Sequence, residues 1–177
     1  MIGCPLPKAA RMKVIDVKRP ARQSRTDTAA RRIAASPDTV YAAFADPNVL
    51  MAWLPPQGMR GRVLDYEFRV GGQYRIELSH ESGGTGKTTA HTDMTAGRFL
   101  ALEPDRRVVM SVVFDSDDPA FAGEMVMTWS FAPVADGTEV TVVVEQVPPG
   151  ISAEDHAAGL ASTLANLDRY LARLGNS

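Results

Sequence analysis

Residues 125–131 read MVMTWSF, and this segment decides the fold class of the chain. Its bulkiest apolar side chains fall at every second position, with valine, threonine and serine between them. Successive side chains of a strand point to opposite faces, so this alternation predicts a β-strand with one buried face. The same period of two extends on both sides, from Gly61 to Val147, interrupted by turn signals such as Gly71-Gly72. This part of the chain therefore predicts five or six antiparallel strands.

Helical patterns occur only before and after this stretch, where a first strand is also predicted over Thr26–Ala35. Ser36-Pro37 and Asp46-Pro47 are helix-start signals and predict two short helices within residues 37–54. Beyond the strands, leucines recur every three or four residues between Leu160 and Leu174, which predicts a long amphipathic helix. Ser152 is its predicted N-cap.

Together these elements predict an α+β fold. A curved antiparallel sheet of six to seven strands would wrap around the long C-terminal helix, with two short helices after the first strand. The last helix is the only predicted one long enough to cover a sheet face. A sheet that grips one helix leaves a hollow between them, and apolar hollows are common small-molecule sites.

Length and composition indicate an ordinary globular protein. The chain has 177 residues, with 45% hydrophobic and 23% charged residues, which fits one domain with a sizeable core and a tail. A single cysteine, Cys4, excludes an internal disulfide framework and fits a reducing compartment. Because no apolar run approaches a membrane span and no secretory h-region is visible, we expect a cytoplasmic protein without membrane insertion.

Charge is distributed unevenly along the chain. Residues 1–32 carry nine basic and two acidic residues, whereas the remainder is acidic overall. We expect residues 1–25 to be a basic leader that is flexible or forms a short edge strand, with the domain itself over residues 26–175. A basic arm can bind nucleic acid, but this one has no interleaved aromatic residues, so no nucleic-acid partner is predicted. Met12 is an alternative start.

Six short motifs resemble, in order, those of a known superfamily. They are residues 35–44 (ASPDTVYAAF), 46–53 (DPNVLMAW), 68–75 (FRVGGQYR), 97–104 (GRFLALEP), 137–142 (GTEVTV) and 167–171 (LDRYL). Across about residues 26–174 the chain resembles the START-like (SRPBCC) superfamily, whose fold is the helix grip. It is most similar to the bacterial homologues of the 90-kDa heat-shock-protein ATPase activator.

This resemblance implies a fold more than a reaction, because the superfamily includes binding proteins, cyclases, dehydratases and co-chaperone-like domains. Many relatives carry a tryptophan in the terminal helix before the final leucine stripe. Here Ala158-Gly159 and Ser162-Thr163 occupy that region. The resemblance therefore implies a wider cavity in this chain, or a different ligand preference.

The main candidate site is the set of aromatic, methionine and helix side chains that would face the hollow. Apolar pockets with a few polar groups are typical of small-molecule sites, and methionine adapts to irregular ligands. A filled core would give the same pattern and stays an alternative. The predicted ligand-binding residues are Trp53, Tyr66, Phe68, Tyr74, Met110, Phe114, Met125, Met127, Trp129, His156 and Leu160.

His156 is the candidate catalytic residue if the protein is an enzyme. It occupies a position in the apolar stripe of the last helix where leucine is expected, and imidazole can act as an acid or base near neutral pH. A partly exposed histidine without a chemical role is the alternative. No obvious catalytic partner follows from the pattern; Glu77, Asp93 and Glu145 qualify only if the strand faces are opposite to those expected.

The predicted hairpin around residues 82–87 invites two further interpretations. His80 and His91 are equally distant from its tip and would face each other, but a third metal ligand is not apparent, so no metal site is predicted. Its glycines and Lys87 suggest a phosphate-binding loop, but the spacing is wrong and a strand follows. We therefore expect no nucleotide or other cofactor, and no nucleophilic role for Cys4.

The sequence predicts a protein that binds a hydrophobic or amphipathic small molecule, lipid-like or aromatic, between its sheet and its last helix. Two alternatives stay open. One is a cyclase, dehydratase or hydrolase that uses the same cavity. An enzyme is the less favoured hypothesis, because few polar residues are predicted to point inward. The other is a stress-related interaction module with a chaperone partner. A homodimer is also open.

Overall fold

A computed structural model describes residues 24–175. The predicted leader, its edge strand, Cys4 and Met12 lie outside these residues, and Arg25 already begins the first strand. The elements are β1 (Arg25–Ile33), α1 (Pro37–Ala45), α2 (Pro47–Trp53), β2 (Met59–Tyr66), β3 (Gln73–His80), β4 (Thr92–Glu103), β5 (Arg107–Phe114), a 3₁₀ turn (Pro119–Phe121), β6 (Glu124–Val134), β7 (Gly137–Val147) and α3 (Ala153–Leu174).

The seven strands form one antiparallel sheet in the order β1-β7-β6-β5-β4-β3-β2. Strands β2 to β7 follow one another as a meander, and β1 returns to pair with β7 at the edge. The predicted α+β fold, the two short helices after the first strand and the long last helix are confirmed. No helix within residues 24–175 is long and apolar enough to cross a membrane.

Local chemistry places the helices where the sequence predicts them. Proline begins both α1 and α2, where its missing N–H costs no helical hydrogen bond. The Asp46 carboxylate accepts from the Asn48 N–H (2.8 Å), and Ser152 Oγ accepts from the Asp155 N–H (3.0 Å), capping α2 and α3. Ser36 is the N-cap of α1, but it makes no side-chain cap hydrogen bond.

The concave face of the sheet carries the core. Residues directly opposite each other in an antiparallel pair share a face, so the register assigns Val108, Trp129 and Val142 to one row across three strands. All three are buried. In β2 the register shifts between Val63 and Asp65. Leu64 is exposed as a result, although strict alternation places it on the same face as Tyr66.

Helix α3 covers this face unevenly. Its backbone packs most closely against β1 and α2, and much less against the middle strands. Leu160, Leu164, Leu167 and Leu171 supply its buried stripe, as predicted. The space between α3 and strands β3 to β6 is therefore bridged by side chains, and the size of those side chains decides what it can hold.

Candidate ligand site between the sheet and the last helix

An aromatic cluster fills the middle of the concave face. The Phe44 ring lies 4.9 Å from Trp53 and 5.5 Å from Trp129, and the two indoles lie 5.8 Å apart, centroid to centroid. All three are at most 1% exposed. The Trp53 Nε1–H donates to the Ala43 carbonyl (3.0 Å), which fixes α2 against α1. This part of the predicted hollow is thus packed core.

Two predicted tyrosines are anchored through their hydroxyl groups. Tyr66 donates to the Phe44 carbonyl, and Tyr74 donates to the Ser111 carbonyl (2.6 Å). Burial raises the pKa of both phenols, so neither can serve as a base near neutral pH. Phe68 is half-buried, 5.7 Å from the Tyr41 ring of α1. These side chains close the α1 end of the concave face.

At the opposite end of the concave face, hydrogen bonds join α3, β2 and β3 on the α2–β2 side. The Gln57 N–H donates to Ser162 Oγ on α3 (2.8 Å), and the Leu54 carbonyl accepts from Thr163 Oγ1 (2.9 Å). The Glu81 N–H donates to the Gly58 carbonyl (2.9 Å), which ties the end of β3 to the start of β2. Helix α3, β2 and β3 are therefore linked around this end.

Side chains and the 3₁₀ turn complete the other half of this boundary. Lys87 Nζ lies 5.1 Å from the centroid of the Phe114 ring, which is itself 6.3 Å from the Phe121 ring. The Gly150 N–H donates to the Ala120 carbonyl (2.8 Å), so the turn contacts the segment that leads into α3. We call the residues around this end the rim: Gln57–Gly58, Glu81, Lys87, Phe114, Phe121, Gly150 and residues 152–162.

The flank of α3 is uncovered at Gly159. One turn further on, Thr163 and Ser162 already contact the α2–β2 connection. A Cβ atom built at Gly159 would have no neighbour within 4 Å, although the residue is only half-exposed. On the sheet, Leu78 and Phe114 near the rim are also half-buried rather than buried. Gly159, Leu78 and Phe114 are thus less closely surrounded than the aromatic cluster in the middle of the concave face.

The predicted ligand-binding residues divide into two groups. Phe114, Met127, Tyr66, Phe68 and His156 are half-buried. The others are buried core residues: Trp53, Tyr74, Met110, Met125, Trp129 and Leu160. The structure brings most of them to the concave face, but their role in ligand binding stays a prediction.

Trp129 is exceptional among the buried aromatic residues. Its Nε1–H is buried and has no hydrogen-bond acceptor among residues 24–175. Trp53, Tyr66 and Tyr74 each donate to a backbone carbonyl instead. Burying an N–H without an acceptor costs about 1–3 kcal/mol, so this group needs a physical explanation.

Sequence reasoning missed the ion pair at the rim. Asp93 lies opposite Leu78 in the β3–β4 register, so it faces the concave side, and it is 3% exposed. Its Oδ2 accepts from Lys87 Nζ (2.6 Å) and its Oδ1 from the Lys87 N–H (2.5 Å). The hairpin spacing that pairs His80 with His91 also places Leu78 opposite Asp93, so the signal was present in the sequence.

His156 has a partner that the sequence pattern did not suggest. Its Nδ1 lies 2.6 Å from Oδ2 of Asp27 on β1, and Arg25 donates to the same carboxylate. Burial opposes ionisation of Asp27, but the hydrogen bonds from His156 and Arg25 outweigh it and lower its pKa. The histidine is thus held at the α3–β1 interface.

The two hairpin histidines, His80 and His91, lie side by side. The His80 N–H donates to the His91 carbonyl (3.0 Å), which confirms that the two residues are neighbours across the hairpin. The buried Nε2 of His80 has no partner within residues 24–175. No group of three metal-ligating side chains occurs in the part of the chain that the structure describes.

A surface groove of about 500 Å³ borders the rim at Gln57 and Gly58. It runs between the second half of α3 and the α2–β2 connection, with Pro55, Met59 and Tyr170 among its apolar walls and Arg169 at its edge. None of the predicted ligand-binding residues lines it. The groove is therefore not the predicted ligand site.

Comparison with known proteins gives one family and several solved structures. Residues 34–172 match the family model described as activator of Hsp90 ATPase homolog 1-like protein. A solved structure from Chromobacterium violaceum is 33% identical, with a TM-score of 0.73 over 81% of this chain and 94% of that one. Another from Rhodobacter sphaeroides is 28% identical, with a TM-score of 0.70 over 84% and 93%.

An AHSA1-like protein of Aeromonas hydrophila is 19% identical with a TM-score of 0.63, over 86% of this chain and 96% of that one, and shows a likeness of fold alone. The curated proteins contain no match to the chain. The resemblance drawn from the six sequence motifs is confirmed at the level of family and superfamily.

Proposed function

The chain belongs to the activator of Hsp90 ATPase homolog 1-like family, and we propose that it binds an apolar or amphipathic small molecule inside the rim. The ligand would lie between the first turns of α3 and the concave face around Leu78 and Phe114. The observation that carries this proposal is the uncovered flank of α3 at Gly159, together with the half-buried apolar side chains of Leu78 and Phe114 on the concave face.

The uneven packing of α3 gives the physical reason. Ser162 and Thr163 hold this flank of α3 against the α2–β2 connection, so a guest one turn earlier, beside Gly159, does not have to separate the helix from the sheet. A ligand that buries about 200 Å² of apolar surface gains on the order of 5 kcal/mol before the entropic cost of association. A few polar contacts added to this are enough for binding in the micromolar range, on the order of −8 kcal/mol.

The test is a fluorescence titration with N-phenyl-1-naphthylamine, an apolar probe whose emission rises in a dry environment. We expect saturable enhancement with the wild-type protein. Gly159→Trp should fill the opening and weaken probe binding at least tenfold, because its Cβ meets no neighbour but its indole occupies the space. Circular dichroism and the melting temperature establish that the variant is folded.

Ala158→Trp is the matched control. It adds the same side chain at the adjacent, exposed position of the same helix, so probe binding should equal that of the wild type. Two results contradict the proposal: a wild-type protein that shows no saturable enhancement, or a folded Gly159→Trp variant that binds the probe as tightly as the control.

A further inference from the structure

Lys87 and Asp93, the ion pair at the rim, differ in how many further hydrogen bonds each can make. Both Asp93 oxygens already accept from Lys87, and the Asp93 side chain is 5% exposed. Lys87 Nζ carries three N–H groups and uses one of them on Asp93, while its side chain is 27% exposed. The group that a guest molecule can reach is therefore the ammonium donor rather than the carboxylate.

The ammonium group of Lys87 lies where solvent-exposed surface meets apolar surface. Lys87 Nζ lies 5.1 Å from the centroid of the half-buried Phe114 ring, which faces the concave side opposite Thr95. Lys87 follows a loop with Gly83 in the left-handed region (φ 61°), a conformation that glycine adopts without strain. An ammonium in this place can contact the head of a molecule whose apolar part lies against Phe114.

Other hydrogen-bonding groups between the sheet and α3 also favour a ligand that accepts hydrogen bonds. The protons of Tyr66, Tyr74 and Thr163 are already donated to backbone carbonyls. The Nε1–H of Trp129 is a further donor without an acceptor among residues 24–175. Lys87 Nζ thus keeps protons to donate at the rim, so a ligand that reaches it must supply acceptor oxygens.

We infer that the ligand is an anionic amphiphile, a molecule with an apolar chain and a carboxylate head that accepts a hydrogen bond from Lys87 Nζ. This inference rests on the proposed function, since it assigns the polarity of the guest inside the rim. A hydrogen bond between two charged groups is shorter and stronger than a neutral one. The carboxylate head should therefore improve binding about tenfold over an uncharged head of the same chain length.

The test is competition between N-phenyl-1-naphthylamine and three chain-matched molecules: decanoate, decanol and decylamine. For the wild type we expect decanoate to displace the probe at about tenfold lower concentration than decanol, with decylamine the weakest. Lys87→Arg keeps a cationic donor and should keep this order. The double variant Lys87→Met, Asp93→Leu replaces the pair by apolar groups, which avoids an unpaired buried carboxylate.

In the double variant the probe should still bind, whereas the advantage of decanoate over decanol should disappear. Equal displacement by decanoate and decanol in the wild type overturns the inference, as does an advantage that survives in the double variant. If decylamine binds more tightly than decanoate, a cation replaces Lys87 on Asp93, and this result also overturns the inference. If the probe itself does not bind the wild type, the proposed function fails together with this inference.

Discussion

The two buried tryptophans allow a direct measurement of one missing hydrogen bond. Trp53 and Trp129 are 0% and 1% exposed and lie in the same aromatic cluster. The Nε1–H of Trp53 donates to the Ala43 carbonyl at 3.0 Å, whereas that of Trp129 has no acceptor within residues 24–175. Replacing each by phenylalanine removes the N–H and about the same ring volume in both cases. The comparison therefore isolates the hydrogen bond.

The magnitudes follow from this difference. Shrinking the ring at a fully buried site costs both variants a similar cavity and transfer free energy, on the order of 1–2 kcal/mol. Trp53→Phe also loses a hydrogen bond and leaves the Ala43 carbonyl without its donor, about 1 kcal/mol more. Trp129→Phe instead removes a buried donor whose desolvation costs about 1–3 kcal/mol, which offsets its cavity. The expected difference between the two variants is about 2–4 kcal/mol.

Urea denaturation followed by circular dichroism gives the free energy of unfolding of both variants. A difference of this size corresponds to about 4–16 °C in melting temperature for a domain of this length. Equal losses in the two variants, or a larger loss for Trp129→Phe, would refute the reasoning. That result would mean that the Trp129 N–H is satisfied, for example by the face of the Trp53 ring, which lies at 83° to it.

Three further variants test other parts of the fold. Gly159→Ala should raise the free energy of unfolding by about 0.5–1 kcal/mol in chemical denaturation, because glycine weakens a helix interior and its Cβ site is empty; a loss of stability would show that the flank is occupied. Asp27→Asn should cost about 2 kcal/mol at neutral pH. The pKa of Asp27 in the folded state lies below the ordinary 3.8, so its ionised form stabilises the wild type fully above pH 3.8. This stabilisation is lost as the pH falls through the folded-state pKa. The free energy of unfolding should therefore depend less on acidic pH in Asp27→Asn than in the wild type. Gly97→Ala should lower the melting temperature and cost about 2–3 kcal/mol, since its Cβ would lie 1.8 Å from the Ser111 carbonyl oxygen; an unchanged melting temperature would contradict this close approach of β4 and β5.

The fold was predictable because its signals are local and repeated. The period-two pattern of residues 125–131 recurs in neighbouring strands, and each helix carries its own start signal at Pro37, Pro47 or Ser152. Where the pattern was misleading, a register shift was the cause. The bulge between Val63 and Asp65 exposes Leu64, and alternation alone contains no mark of an extra residue.

The candidate site was predictable only in part. The aromatic and methionine side chains of β6 lie on the concave face as expected, but most of them are packed core. The partner of His156 could not be derived from spacing, because Asp27 is 129 residues away and meets it only when β1 pairs with β7 and α3 folds over that edge. Asp93 was assigned to the wrong face, although the hairpin register contained the answer.

The segment MVMTWSF and its neighbours thus determined the sheet, its buried face and the need for a covering helix, because burial of alternate side chains is a property of a strand by itself. How much of the concave face stays open was decided by the tertiary structure alone. The angle at which α3 packs on β1 and α2, and the return of Lys87 onto Asp93, depend on contacts between distant elements. Those contacts leave a packed aromatic centre at Trp129 and an uncovered helix flank at Gly159.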